Sequence, residues 1–302
     1  MGLTAKAVGT FTMVADLYGK TEDTDLVYRV AMAGLEKGMA FYEMKDSESA
    51  INAFNTVVGS LDKVSGKYIQ GELVSACLNK ANIYYQVGFY DSAFKEYSSL
   101  IERYGKCDDP LILRCIAVAR SNAGRILANE KNLDGAMLLY AKNLEHLKGI
   151  DVEELMAYEA MAMLDLAEVL FAKGQRSDAL GILDSLTDKF KYHEDFFIMQ
   201  QVAKSYIYKG DYYEDVANTN VALNEYDALI TRFSGAKEME LVEYLALAMI
   251  RKAAVFIRSN QKALAVKTYR DFLKVYDNSD NPKIRDWVTI SKKDIAYLTS
   301  GN

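Results

Sequence analysis

Proline is almost missing from this chain of 302 residues, which contains two. Proline breaks helix interiors and collects in turns, so its scarcity leaves room for long uninterrupted helices. Cysteine is nearly as rare: Cys77, Cys107 and Cys115 are an odd set without metal-ligand spacing, and the two histidines, His146 and His193, lie far from them in sequence. That count argues against a zinc site, and more strongly against a disulfide framework. Free thiols fit a reducing, cytoplasmic location. No apolar run approaches the roughly 18 residues a membrane span requires. The stretch from Met1 to Tyr18 has one lysine and no convincing cleavage site, so it does not read as a signal peptide, and Lys6 stands where myristoylation needs Ser or Thr. A basic excess is lacking too: 36 Lys and Arg against 42 Asp and Glu give a net charge of −6, which argues against a nucleic-acid partner. Apolar material is plentiful at 50%, enough for a core and too much for general disorder.

That apolar material is periodic. Ala7, Ala50, Ala93, Ala136, Ala179, Ala222 and Ala265 stand 43 residues apart without a gap. A small residue precedes each of the last six by 12: Gly38, Ala81, Gly124, Ala167, Gly210 and Ala253. A third column is aliphatic throughout, from Leu26, Ile69 and Ile112 to Leu155, Ile198, Leu241 and Ile284. Four residues after each alanine comes Phe11, Phe54, Tyr97, Tyr140, Leu183, Tyr226 or Tyr269. Eleven after it comes Tyr18, Leu61, Tyr104, Leu147, Phe190, Phe233 or Tyr276. Within a repeat the apolar residues recur at helical spacing in two runs, split by a short turn such as Gly88-Phe89-Tyr90-Asp91. The spacing therefore predicts two antiparallel helices per repeat, near 25–43 and 47–62 in the first complete one. The small column lets the paired backbones approach, and the aromatic column fills the space beside that approach.

Small residue, turn, alanine and aromatic at these spacings resemble the tetratricopeptide repeat family, whose usual period is about 34 residues. The family's Gly/Ala position falls on Gly38 and its equivalents, its following Tyr position on Phe41, Tyr84, Leu127, Leu170, Tyr213 and Phe256, and its second-helix Ala on Ala50 and its equivalents. Its Trp position is not kept, being Gly34, Cys77, Arg120, Met163, Tyr206 and Met249, and its closing Pro is missing. The longer period is similar to bacterial arrays of long repeats. The resemblance covers essentially the whole chain. It implies an all-α, right-handed α-solenoid of antiparallel helix pairs with about 14 helices, a single array over 1–302. Residues 1–20 then form a lone second-type helix, 22–279 six helix pairs, and 280–302 a capping helix.

The two ends differ. Arg285 and Lys293 stand in columns of the last helix that are elsewhere mostly apolar, as suits a solubilising cap. The first helix does the reverse: Met13 and Leu17 occupy columns that are mostly polar in later repeats. Three readings are open. An upstream segment covers this helix, making the chain part of a longer protein; a second copy covers it; or the two residues pack on the first pair.

Catalytic constellations are missing: there is no Gly-rich phosphate loop, no G-x-S-x-G and no H-E-x-x-H. His146 shares a column with Arg103, Lys189 and Arg232, a solvated face, and His193 sits in an exposed connector. Cys77 and Cys115 read as small core residues. The chain is therefore expected not to be an enzyme and to need no cofactor. The resemblance implies instead a concave groove lined by first helices. Its candidate contacts are Tyr42, Asn79, Asn82, Tyr85, Asn122, Arg125, Asp165, Glu168, Arg251 and Arg258. Their charge has a direction, from amides and aromatics through acids to a basic end where Arg251 and Arg258 would receive a carboxylate. The family's carboxylate clamp is not expected, since Leu78 and Ser121 stand where lysine would help. The expected function is a scaffold or sensor segment for a protein or peptide, with neither nucleic acid nor membrane as partner. The alternative is a self-associating homo-oligomer joined through Met13 and Leu17.

Overall fold

The computed structural model describes residues 2–19, 21, 23–61, 67–150 and 152–300. The contacts gather into two compact units, residues 1–150 and 151–302. The first holds α1 (Gly2–Tyr18), α2 (Thr24–Glu43), α3 (Ser47–Leu61), α4 (Lys67–Gln86), α5 (Tyr90–Tyr104), α6 (Pro110–Asn129) and α7 (Leu133–Leu147). The second holds α8 (Glu153–Ala172), α9 (Arg176–Phe190), α10 (Phe196–Asp215), α11 (Thr219–Phe233), α12 (Met239–Arg258), α13 (Lys262–Tyr276) and α14 (Pro282–Thr299). From α2 to α13, first helices of 20 residues alternate with second helices of 15. The bounds expected for α2 and α3 hold to within one residue. Parts of the expected segments that fall on residues 1, 20, 22, 62–66, 151, 301 and 302 lie outside the described residues.

Local chemistry explains where helices start and stop. Asp23, Asp109, Asp195 and Asn281 cap α2, α6, α10 and α14, each accepting a hydrogen bond from a first-turn N–H. Both prolines, Pro110 and Pro282, directly follow such a cap, where a missing N–H costs nothing. Every first helix from α2 to α12 ends in a left-handed residue: Lys45, Gly88, Lys131, Gly174, Ala217 and Asn260. The next N–H then folds back onto the last turn, as in Asp46 N to Phe41 O (3.0 Å) and Asn218 N to Tyr213 O (2.8 Å).

The expected columns form the core. The alanines from Ala50 to Ala265 are fully buried. A Cβ added to Gly38 would lie 2.6 Å from the Phe54 ring, and one on Gly124 would lie 2.5 Å from Tyr140, with Gly210 and Tyr226 closer still. No side chain fits there, so glycine sets how near the paired helices come. Within each unit consecutive first helices touch (α2 with α4, α4 with α6; α8 with α10, α10 with α12, α12 with α14). Among the described residues, consecutive second helices do not. The first-helix layer is the tighter one, so each unit is concave on that side. On α1, which packs against α2, Met13 and Leu17 are 61% and 67% exposed. That removes the reading in which these two side chains pack on the first pair.

Candidate functional site

The concave layer is organised by a spacing of 40 residues. The side chain just after the small column on one first helix meets the side chain two before it on the next. In the first unit, Asn122 Nδ2 donates to Asn82 Oδ1 (3.1 Å). In the second, the Tyr208 hydroxyl donates to Glu168 Oε1 (2.7 Å), and Arg251 Nε pairs with Asp211 Oδ1 (3.3 Å). A second rung, one turn further along the earlier helix and two along the later, joins the Tyr42 hydroxyl to Gln86 Oε1 and Arg258 to Glu214. These bonds fix the groove side chains before anything binds.

The aromatic column contributes more than filling. Its hydroxyls pass beneath the small column and emerge on the concave side. Tyr97 donates to Asn82 Oδ1 (2.6 Å), Tyr226 to Asp211 Oδ1 (2.6 Å) and Tyr269 to Asp294 Oδ2 (2.9 Å). Burial pushes all three phenols well up; for Tyr226 and Tyr269 the neighbouring aspartate pushes further, while for Tyr97 the Asn122 amide and Arg125 oppose the rise. Tyr208 is likewise raised by burial and then by Glu168. All four tyrosines remain neutral donors in the physiological range.

Among the described residues, this layer carries a cavity in each unit. One, about 150 Å³, is walled by Met39, Tyr42, Phe54, Asn79, Asn82, Ile83 and Gln86, at the repeat whose aromatic lacks a hydroxyl. The other, about 400 Å³, is walled by Glu168, Phe171, Arg176, Tyr208, Asp211, Tyr212 and Asp215. Phe171 and Tyr212 face each other at 5.8 Å between ring centroids. Tyr85 stacks edge-on against Tyr90 at 5.5 Å.

The structure thus groups Tyr42, Asn79, Asn82 and Asn122 in the first unit, with Arg125 near Tyr97, and Glu168 in the second. Four expectations change. Asp165, expected as a groove contact, is buried. Arg251 and Arg258 are not waiting for a carboxylate, because Asp211 and Glu214 already neutralise them. His146 is not solvated: its Nδ1 meets Arg120 at 3.0 Å and its Nε2 meets Asp108 at 3.3 Å, while Arg120 also donates to Gly105 O (2.7 Å). His193 is partly buried as well, with its carbonyl accepting from Arg232 (3.0 Å). In two pairs this column therefore clips the entering loop, through His146 to Asp108 and through Arg232 to His193. Sequence reasoning missed the groove role of Tyr97 and Tyr226, though a tyrosine where phenylalanine would fill the space equally well is the signal. Burial pushes the Cys115 thiol up, as suits an inert core cysteine.

Residues 245–279 match the tetratricopeptide repeat family. Solved structures extend the likeness over the whole chain. The apo form of RapI is 14% identical with a TM-score of 0.70, over 99% of this chain and 82% of that one. A Signal Transduction ATPase with Numerous Domains with a tetratricopeptide repeat sensor, from Pyrococcus horikoshii, is 14% identical with a TM-score of 0.65, over 98% of this chain and 43% of that one. A Rap protein complexed with competence and sporulation factor is 16% identical with a TM-score of 0.51, over 95% of this chain and 80% of that one. No curated protein matches the chain by sequence. The fold is that of the tetratricopeptide-repeat proteins.

Proposed function

We propose that the chain is a non-catalytic scaffold or sensor segment that holds a protein or peptide on its first-helix layer. The observation that carries this reading is the ladder of 40-residue pairs. In each unit it holds polar groups in fixed positions around a cavity on the first-helix side, which is how a recognition surface is preorganised. A Rap protein of the same fold has been captured with competence and sporulation factor, and another neighbour carries such repeats as a sensor, which supports the same use here. We place the chain in the cytoplasm, within a larger protein whose effector lies elsewhere. The test is panning of a random peptide library against the chain and against a variant carrying Asn82→Ala, Tyr85→Ala and Arg125→Ala. Peptides enriched by the parent and lost in a folded variant support the groove; enrichment equal in both moves recognition off this face.

The exposure of Met13 and Leu17 favours a second reading, self-association through α1. Sedimentation equilibrium decides it: a dimer that Met13→Lys and Leu17→Lys convert to monomer supports it, and a parent monomeric at tens of micromolar removes it.

A further inference from the structure

The larger cavity combines two kinds of chemistry that favour the same ligand. Three aromatic rings, Phe171, Tyr208 and Tyr212, share its wall with three carboxylates, Glu168, Asp211 and Asp215. Asp211 is matched by Arg251. Among the described residues, Glu168 receives only the neutral Tyr208 hydroxyl and Asp215 has no ion pair. Against these two unmatched anions stands one cation on the wall, Arg176. Ring faces attract a cation through their quadrupole, and the exposed carboxylates of Glu168 and Asp215 attract it through charge. At about 400 Å³ the cavity is within the range of small-ligand pockets and far larger than a hydration site. Its position between α8 and α10, in the layer that lines the groove, lets a side chain enter from a peptide lying along that layer. The smaller cavity has no charged wall and offers no such preference.

We infer that the pocket of Glu168, Phe171, Tyr208, Tyr212 and Asp215 takes the lysine or arginine side chain of an extended peptide. This rests on the groove reading above and adds the chemistry of one anchor position. The test pans a random heptapeptide library against the full chain, then measures the best binder by fluorescence anisotropy against three proteins: the parent, the double variant Glu168→Gln with Asp215→Asn, and Arg176→Ala. Melting curves by circular dichroism check that each variant folds. The expected result is a set of peptides sharing Lys or Arg at one place. Replacing that residue with norleucine costs about tenfold or more in affinity for the parent, and the double variant loses about as much. Arg176→Ala removes the repelling cation and tightens binding about two- to threefold, a gain that damage to the fold cannot produce. Peptides enriched without a cation, or with one indifferent to the double variant, overturn the pocket and leave the groove reading standing. Enrichment of nothing by any of the proteins overturns both.

Discussion

The two units carry the same ion pair in the same repeat columns and surround it differently. In the first, Lys80 Nζ lies 2.8 Å from Glu96 Oε1, whose side chain is 28% exposed. In the second, Lys209 Nζ lies 3.1 Å from Glu225, now 16% exposed, and 2.7 Å from a further carboxylate, Asp184. The groove faces diverge likewise: an amide ladder of Asn82, Asn122 and Tyr97 in one, and charged rungs of Glu168, Asp211 and Arg251 in the other. The frame of the repeat decides where a side chain stands. Its neighbours decide what that position means chemically.

That contrast is sharpest in the buried pair. Lys209→Met leaves Glu225 without its partner and is expected to cost about 3 kcal/mol, whereas Lys80→Met, beside a more exposed glutamate, costs about 1 kcal/mol. Urea unfolding of both variants reads the difference, and equal losses would dissolve the comparison. Next in size is the small column, where the units should agree. Gly124→Ala and Gly210→Ala each drive a methyl into a buried tyrosine ring and should cost about 1–3 kcal/mol. Gly181→Ala, on an exposed stretch of α9 with nothing within 4 Å of the added carbon, should instead stabilise by about 0.5–1 kcal/mol. A loss at Gly181 matching that at Gly210 would mean the rings are not the cause.

Smaller effects separate the turns. Gly88 in the first unit and Ala217 in the second occupy the same left-handed position, at φ 84° and 57°. Gly88→Ala should lower stability by about 1 kcal/mol and Ala217→Gly raise it by a similar amount, since the left-handed region penalises a Cβ. Melting temperatures moving in the same direction would contradict this. The smallest effect is in pH. Burial and Asp184 push the Glu225 carboxyl up, against the charge and hydrogen bond of Lys209. A raised acid holds its proton more tightly in the folded chain, so its stabilising share is full below the ordinary 4.5 and is lost as pH rises through the raised value. Glu225→Gln should therefore gain on the parent as pH climbs above that range. Unfolding free energies with parallel slopes would remove Glu225 as the source.

The helices were legible in the sequence because their causes repeat: small residue, alanine and aromatic recur every 43 residues with no gap, and helix ends follow at fixed offsets. The turn conformation was not, since only Gly88 and Gly174 of its six members are glycines, and Lys45, Lys131, Ala217 and Asn260 carry no such signal. Groove positions could be placed, but not their partners. Arg251 and Arg258 look like free cations in sequence and are neutralised by acids on the preceding first helix. His146 looked solvated because lysine and arginine share its column, yet His146, Lys189 and Arg232 reach back to neighbouring carboxylates or backbone.

The groove ladder has a consequence for how such a chain changes over time. Resemblance between positions recurs at 43 residues, whereas the first rung of the groove couples positions 40 apart, as Asn82 with Asn122, Glu168 with Tyr208 and Asp211 with Arg251 illustrate. A duplicated or transplanted helix pair keeps its core contacts anywhere in the array, but it inherits a stranger across each rung. Substitutions in related chains should therefore be correlated between columns 40 apart and independent between equivalent groove columns 43 apart. The inner face of the array diverges in linked steps, while its core columns can be copied freely.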